Sequence, residues 1–313
     1  MLEGTSRDPK EVIGIMPPNL VECTVEKIAI NAVMAGCKPE YMPVVIATIE
    51  AALQDKFCMH GLLATTYFSG PMVVVSGPIT KAIGMNSGGN ALGQGNRANA
   101  TIGRTLQLVV RNVGGGIPGG VDRAALGNPG KYTFCFAENA DDCNWTTLAE
   151  EHGVTEGGST VTLFAADGVQ AFVDQQSRRA PSLVKSLASS LRSVMHSKMA
   201  MAADAFVVIS PEHSAVFERG GYSKEDVLKG LSQELLIPYT ELVRGANGID
   251  EGIPDFLADK PEQRKTQMMP KFRPGGLRLV RAGGNAGLFS AIIGGWAASG
   301  ETGSQPVTQE IKL

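Results

Sequence analysis

The chain has 313 residues, 43% of them hydrophobic and 19% charged, so it can bury a core and is not disordered throughout. Twenty-eight basic and thirty-one acidic residues leave a formal net charge of −3. This balance, without a basic stripe interleaved with aromatic side chains, argues against a nucleic-acid partner.

Targeting and redox features point to one compartment. No apolar run reaches the ~20 residues of a membrane-spanning helix, and the first residues lack the basic and apolar regions of a signal peptide. The five cysteines include no C-x-x-C pair, and an odd set suits a reducing compartment better than a disulfide framework. The sequence therefore predicts a soluble, cytoplasmic protein with no membrane partner.

The first half of the chain alternates helical and extended patterns. Apolar residues recur at helical spacing from Val25, and Gly36 is placed to end that helix. Pro39 suits the first position of a second helix, which runs to about Gln54. Further elements follow: a buried strand over 72–75, a helix over 96–112, a Gly/Pro-rich lid or linker over 113–130 and a strand over 131–136.

The second half shows the same alternation. Ser210 and Pro211 open one helix as N-cap and first residue, and Ser223 with Asp226 forms a capping box before another. The other predicted elements are strands over 159–164 and 205–209 and a long helix over 183–201. The apolar and methionine side chains of that long helix fit a homo-oligomer interface, and equally a core face.

Three segments share one layout, in which an apolar strand, a turn rich in small residues or proline and a helix-compatible run follow one another. They lie at 73–78, 207–211 and 279–284. The pattern predicts an α/β protein with repeated strand–turn–helix units around a mixed or mostly parallel sheet, and two similar halves are one such arrangement. Those halves would be residues 1–150 and 151–313, unless the chain is one compact domain.

In such sheets, ligands bind beyond the carboxyl ends of the strands, so the three turns are where chemistry is expected. The densest polar cluster lies at the loop-to-helix junction that precedes the helix over 96–112. Backbone N–H groups and guanidinium groups there would hold an anion, and amides would orient a polar substrate. The candidate substrate-binding residues are Asn86, Asn90, Asn96, Arg97, Asn99 and Arg104. Capping and surface ion pairs are the structural alternative.

Three further residues are candidates for catalysis. Cys37 lies beside Lys38 where the second helix begins, a position that lowers the pKa of a thiol and favours the nucleophilic thiolate. The structural alternative is that Cys37 is a small buried residue that fills the corner between two helices. His213 and Glu138 follow predicted strands, where a general acid or base is expected. No nucleotide-binding fingerprint or metal-ligand spacing occurs, so no metal is predicted and the cofactor is unknown.

Several stretches of consecutive residues resemble segments of a bacterial family of (seleno)proteins. This family is associated with a selenocysteine-Gly-Ser-Cys (UGSC) motif. They span residues 29–46, 86–104 and 129–139 and, more loosely, 210–213 and 283–296. The motif itself is absent here, so the redox chemistry that it implies transfers to no residue. The resemblance implies a compact bacterial enzyme-like protein.

These observations favour an enzyme that acts on a small polar or anionic metabolite. Cys37 as nucleophile suggests a hydrolase or lyase, whereas His213 and Glu138 alone suggest addition or elimination of water. A thiol-dependent oxidoreductase is a second hypothesis, although no resolving cysteine lies nearby in the sequence. A non-catalytic ligand-binding subunit is the third.

Overall fold

The structure is a computed structural model that describes residues 1–154, 157–260, 262–296 and 303–313.

The chain forms two compact units that interleave in sequence. The first unit comprises Met1–Gly168, Val280–Asn285 and Gly300–Leu313. The second comprises Val169–Leu279 and Ala286–Ser299. The proposed division between residues 150 and 151 stays a prediction.

The helices are, in chain order, α1 (Val25–Ala35), α2 (Met42–Ala52), α3 (Met59–Ala64), α4 (Ile79–Ala82), α5 (Arg97–Asn112), α6 (Leu148–Glu151), α7 (Ala180–Leu191), α8 (Pro211–Arg219), α9 (Lys224–Glu234) and α10 (Tyr239–Leu242). Short 3₁₀ turns cover Leu2–Gly4, Pro39–Tyr41, Asp55–Phe57, Pro129–Lys131 and Ala246–Gly248.

The strands are β1 (Val12–Met16), β2 (Val21–Thr24), β3 (Gly70–Ser76), β4 (Cys135–Ala137), β5 (Thr160–Ala166), β6 (Gln170–Val173), β7 (Ala203–Ile209), β8 (Leu236–Pro238), β9 (Met268–Pro270), β10 (Leu277–Arg281), β11 (Phe289–Trp296) and β12 (Val307–Glu310).

In the first unit, β3 is the centre of a mixed arrangement of strands. It pairs in parallel with β4 and antiparallel with β5, which in turn pairs antiparallel with β12. Every residue of β3 and β5 is buried. Burial on both faces explains the continuous apolar run over 72–75 in β3, whereas β5 is buried although Thr160 and Thr162 alternate with apolar residues. α2 packs against β5, and α1 packs against α5. The predicted α/β class, with a mixed sheet, is confirmed.

Helix ends in this unit follow the local signals. α1 ends at Gly36, whose φ of 90° is left-handed, and the side chain of Asn96 caps α5 by accepting a hydrogen bond from the Asn99 N–H. Pro39 opens a 3₁₀ turn that leads directly into α2. The Gly/Pro-rich segment over 113–130 lies within the first unit, so it is not a linker between the units.

The second unit contains an antiparallel arrangement of strands in which β11 pairs with both β6 and β7. A separate pair of short strands, β8 and β9, is also antiparallel. α8 begins at Pro211 with Ser210 as its N-cap, and the capping box of Ser223 and Asp226 opens α9, as predicted. These starts depend on contacts within one helical turn, which is why the sequence reveals them.

The long helix predicted over 183–201 is wrong in its second half, because α7 ends at Leu191. The carbonyl oxygens of Val194, His196 and Met199 accept hydrogen bonds from the Lys271 ammonium group at 2.8, 2.6 and 3.0 Å. Carbonyls that converge on one nitrogen cannot all point along a helix axis. A distant lysine therefore competes with the local helical pattern.

Two other sequence expectations need correction. The strand predicted over 131–136 is shorter, and β4 begins only at Cys135 because a 3₁₀ turn occupies Pro129–Lys131. The segment after Gly283 forms strand β11 rather than a helix, so the third strand–turn–helix unit is not present. Its branched residues Ile292 and Ile293 suit a pleated, buried surface.

Within the described part of the chain, no helix is both long enough and apolar enough to cross a membrane.

Candidate functional site

The carboxyl ends of β3 and β4 place Ser76 and Glu138 side by side. The two strands run parallel with Val75 opposite Ala137, so the residues that follow reach the same edge of the sheet. The Ser76 hydroxyl donates a hydrogen bond of 2.5 Å to Oε2 of Glu138. This is the edge at which α/β proteins bind ligands, and Glu138 was predicted to reach it.

The Glu138 carboxylate is held by more than the serine. The backbone N–H of Leu148, at the start of α6, donates to the same Oε2 at 2.9 Å, and the Ala149 N–H donates to the Ser76 hydroxyl at 3.3 Å. Thr147 caps α6 in a full capping box. Only 8% of Glu138 is exposed. A carboxylate fixed by charge-assisted hydrogen bonds is oriented before any substrate arrives.

The turn after β3 requires glycine at position 77. Gly77 has a φ of +102°, and a Cβ atom there would lie 2.5 Å from the Gly158 carbonyl oxygen and 2.7 Å from Oγ of Ser159. The same Ser159 hydroxyl accepts a hydrogen bond of 3.1 Å from the Ile79 N–H. The turn and the segment before β5 therefore pack so closely that a side chain at position 77 has no room.

A cavity of about 340 Å³ opens at this edge. We call it the Glu138 cavity, and its polar lining includes Ser76, Lys81, Ser87, Glu138, Asp141 and Thr147. The Lys81 ammonium lies 2.5 Å from Oδ1 of Asp141, and both side chains are more than half exposed. The cavity therefore combines a buried carboxylate with an exposed lysine–aspartate pair, in a volume that suits a small metabolite.

The third turn singled out in the sequence reaches the same edge. The Asn139 N–H donates to the Arg281 carbonyl at 2.7 Å, and the Gly283 N–H donates to the Ser87 carbonyl at 2.9 Å. The Arg281 guanidinium binds the Asp141 carbonyl oxygen. These bonds link the residues after β10 to those after β4 and to the Asn-rich loop.

The side chain of one predicted substrate-binding asparagine, Asn99, binds the backbone of another, Asn86. Asn99 accepts from the Asn86 N–H at 3.0 Å and donates to the Asn86 carbonyl at 2.8 Å, and only 3% of Asn99 is exposed. The Asn86 side chain accepts from the Gly88 N–H and donates to the Gly89 carbonyl. These amides shape the loop that carries Ser87 to the Glu138 cavity.

The other two asparagines also bind backbone. Asn96 donates to the Gly84 carbonyl at 2.9 Å in addition to capping α5, and Asn90, whose φ is +61°, donates to the Gln94 carbonyl at 2.5 Å. Capping and turn formation thus account for the hydrogen bonds of all four asparagines. A direct role for them in substrate binding stays a prediction.

Cys37 and Arg97 lie together where α1 ends. The Arg97 Nε donates to the Gly36 carbonyl at 2.8 Å, and the Cys37 sulfur lies 3.2 Å from Oγ1 of Thr105. Burial raises the pKa of the Cys37 thiol, although hydrogen bonds from Thr101 and Thr105 and the charge of Arg97 oppose this. The expectation of a lowered pKa is therefore wrong, because desolvation of the thiolate outweighs the nearby positive charge.

A second thiol lies within electrostatic reach of Cys37. Burial raises the pKa of Cys135, and the Cys37 thiol raises it further. The two cysteines are far apart in the sequence, so no spacing pattern reveals this neighbour. Both thiols are buried and free. A pair of protonated, buried thiols is poorly prepared for rapid exchange with a disulfide.

His213 belongs to the second unit and is fully buried. Its Nε2 lies 3.0 Å from the Asp174 carbonyl oxygen and its Nδ1 lies 2.7 Å from Oγ of Ser290. A carbonyl oxygen can only accept, so Nε2 carries a proton and donates to Asp174, while Nδ1 pairs with the Ser290 hydroxyl. Both ring nitrogens thus bind protein groups, and a catalytic role for His213 stays a prediction.

Arg104 lies on α5 and lines another cavity of the first unit, described below. Of the predicted site residues, the structure therefore places Glu138 beside the loop that Asn86 shapes, and Cys37 beside Arg97. Three residues of the Glu138 cavity were not predicted from the sequence: Ser76, Lys81 and Asp141. Ser76 was detectable, because it lies in one of the three turns already singled out.

No group of three or more His, Cys, Asp or Glu residues in the described ranges is arranged to hold a metal ion. No protein-family model matches the chain, and no curated protein matches it. The similarity to the UGSC-motif family stays a prediction.

Proposed function

We propose that the chain is an enzyme that binds a small, polar metabolite in the Glu138 cavity and uses Glu138 as a general base. The observation that carries this proposal is the position of Glu138. It is a buried carboxylate, hydrogen-bonded to Ser76 and to the start of α6, in the wall of a cavity at the carboxyl ends of parallel strands. Ligand sites in open α/β sheets occur in this location.

A fixed carboxylate that acts as a general base suits elimination or addition of water. In elimination, the C–H bond of the substrate breaks and its proton passes to the Glu138 carboxylate, while the C–O bond breaks and hydroxide leaves, taking a proton from solvent to form water. Addition is the reverse. The Lys81 ammonium pairs with Asp141 in the same cavity, so a substrate carboxylate binds Lys81 only by replacing this exposed partner.

The hydrolase alternative depends on Cys37 as nucleophile, and its buried thiol with a raised pKa gives that alternative less support. The thiol-dependent oxidoreductase is weakened for the same reason. A homo-oligomer and a cytoplasmic location stay predictions.

The experiment is a deuterium-exchange assay. The protein is incubated in D₂O with a panel of small hydroxy acids and α,β-unsaturated acids, and NMR follows deuterium incorporation and conversion. We expect wild type to convert at least one compound and Glu138→Gln to be slower by at least about 100-fold, the usual contribution of a general base.

Glu40→Gln is the matched control, because Glu40 is a half-exposed carboxylate of the same unit that pairs with Lys38 outside the cavity. It should retain wild-type activity. Normal turnover by a folded Glu138→Gln variant contradicts the proposal. Saturable binding without conversion also contradicts it and supports the ligand-binding subunit instead.

A further inference from the structure

The first unit contains a second cavity, of about 600 Å³, whose lining shares no residue with that of the Glu138 cavity. We call it the Arg104 cavity. One wall is α5, which contributes Arg104, Gln107 and Arg111. Positions that are three, four and seven residues apart lie on one face of a helix, so these three polar side chains form a row along the wall.

The opposite wall comes from the Gly/Pro-rich segment and the residues after it. Asp122 and Lys131 both line the cavity, and the Lys131 ammonium lies 2.7 Å from Oδ1 of Asp122. Both side chains are largely buried. Because this lysine and this carboxylate neutralise each other, the pair adds no net charge to the cavity.

The two arginines are not neutralised in this way. Neither Arg104 nor Arg111 has a carboxylate within ion-pair distance in the parts of the chain that the structure describes. The contact from Arg104 Nη1 to the Tyr132 carbonyl is long, at 3.4 Å. The cavity wall therefore carries two positive charges that no acidic side chain balances.

Gln107 is a second feature of the α5 wall that points to a polar ligand. Its Nε2 atom is buried and has no hydrogen-bond acceptor among the described residues. A buried donor without a partner costs about 1–3 kcal/mol, so such groups are uncommon unless a ligand or a water satisfies them. The row on α5 thus presents two guanidinium groups with an amide between them, and the NH₂ of that amide has no acceptor among the described residues.

We propose that the Arg104 cavity binds a phosphate monoester of a small organic molecule. A phosphate monoester is close to a dianion at pH 7, which matches the two unbalanced guanidinium groups, and its oxygens accept the bidentate hydrogen bonds that arginine makes. The apolar part of the lining, including Leu63, Val110 and Leu126, provides contact area for the organic part. The volume lies in the range of small-molecule sites, about 300–1,000 Å³.

The experiment is calorimetric titration of the full chain with phenyl phosphate at pH 7. We expect saturable binding to wild type, and at least tenfold weaker binding to Arg104→Gln and to Arg111→Gln. Arg123→Gln is the matched control, because Arg123 is an exposed guanidinium of the same segment that does not line the cavity. Its affinity should equal that of wild type.

Three comparisons test the ligand class. Inorganic phosphate should bind more weakly than phenyl phosphate, and phenyl phosphate should bind more weakly at pH 5, where the phosphate is mostly a monoanion. Succinate should bind more weakly than phenyl phosphate. Equal binding of inorganic phosphate overturns the role of the organic part, tighter binding of succinate overturns the phosphate assignment, and equal affinities of wild type, Arg104→Gln and Arg111→Gln overturn the site.

This inference does not depend on the proposed function. Glu138→Gln should bind phenyl phosphate with wild-type affinity, since Glu138 does not line the Arg104 cavity. Loss of binding in that variant contradicts the separation of the two sites. Failure of either proposal is therefore measurable without the other.

Discussion

The Ser76 hydroxyl and the Glu138 carboxylate are 62 positions apart in sequence and 2.5 Å apart in the fold. The parallel pairing of β3 with β4 creates this contact, because it brings the carboxyl ends of two distant strands to one edge. The hydrogen bond is both a structural link between the strands and an orienting contact for the proposed base.

A double-mutant cycle measures the strength of this link. We expect Ser76→Ala and Glu138→Gln each to lower the free energy of unfolding by about 1–3 kcal/mol, because each weakens a buried, charge-assisted hydrogen bond. Their effects should not add, and the coupling should be about 1–2 kcal/mol by urea denaturation. Simple additivity of the two changes would show that the contact contributes nothing.

The turn at Gly77 gives a prediction about backbone packing. Gly77→Ala should lower the free energy of unfolding by at least about 2 kcal/mol, since it combines an unfavourable positive φ with a clash against the Gly158 carbonyl. Gly84→Ala is the control, because Gly84 also has positive φ but has open space around its Cβ position. It should cost about 1 kcal/mol, and equal losses for the two variants would contradict the clash.

The raised pKa of Cys37 predicts slow alkylation. At pH 7 the thiolate fraction of this buried residue is below that of an ordinary cysteine, so iodoacetamide should modify the more exposed Cys58 first. Peptide mass spectrometry over a time course checks the order. Modification of Cys37 ahead of Cys58 would restore the interpretation of Cys37 as an activated nucleophile.

Lys271 predicts a dependence of stability on pH. Burial lowers its pKa from 10.5 to about 8. Between these two values the unfolded chain binds more protons than the folded chain, so the contribution of Lys271 to the free energy of unfolding rises with pH across this window. The difference in unfolding free energy between wild type and Lys271→Met should therefore increase from pH 8 to pH 10, by at most about 1.4 kcal/mol per pH unit.

The comparison with Lys271→Met removes the contributions of other groups that titrate at alkaline pH. The variant should also be less stable than wild type at pH 7, since it leaves three carbonyl oxygens without their donor. A difference that is constant from pH 8 to pH 10 would show that Lys271 keeps an ordinary pKa in the fold.

Local signals in the sequence determined the ends of several elements. Gly36 ends α1, Asn96 caps α5 and Ser210 caps α8, because each of these contacts lies within about one helical turn. The α/β class also followed from the sequence, since the apolar strands and the amphipathic helices have different periods. The turn after β3 follows an apolar strand, and for this reason the sequence indicated it as a place for chemistry.

Tertiary structure alone decided which polar groups are buried and which of them meet. The partner of Glu138, the raised pKa of Cys37, the enclosed ring of His213 and the early end of α7 all depend on segments that are far apart in sequence. Desolvation and long-range hydrogen bonds set these properties, and neither is a function of local sequence. Residue types therefore indicated candidate chemistry, whereas burial determined which candidates line a cavity.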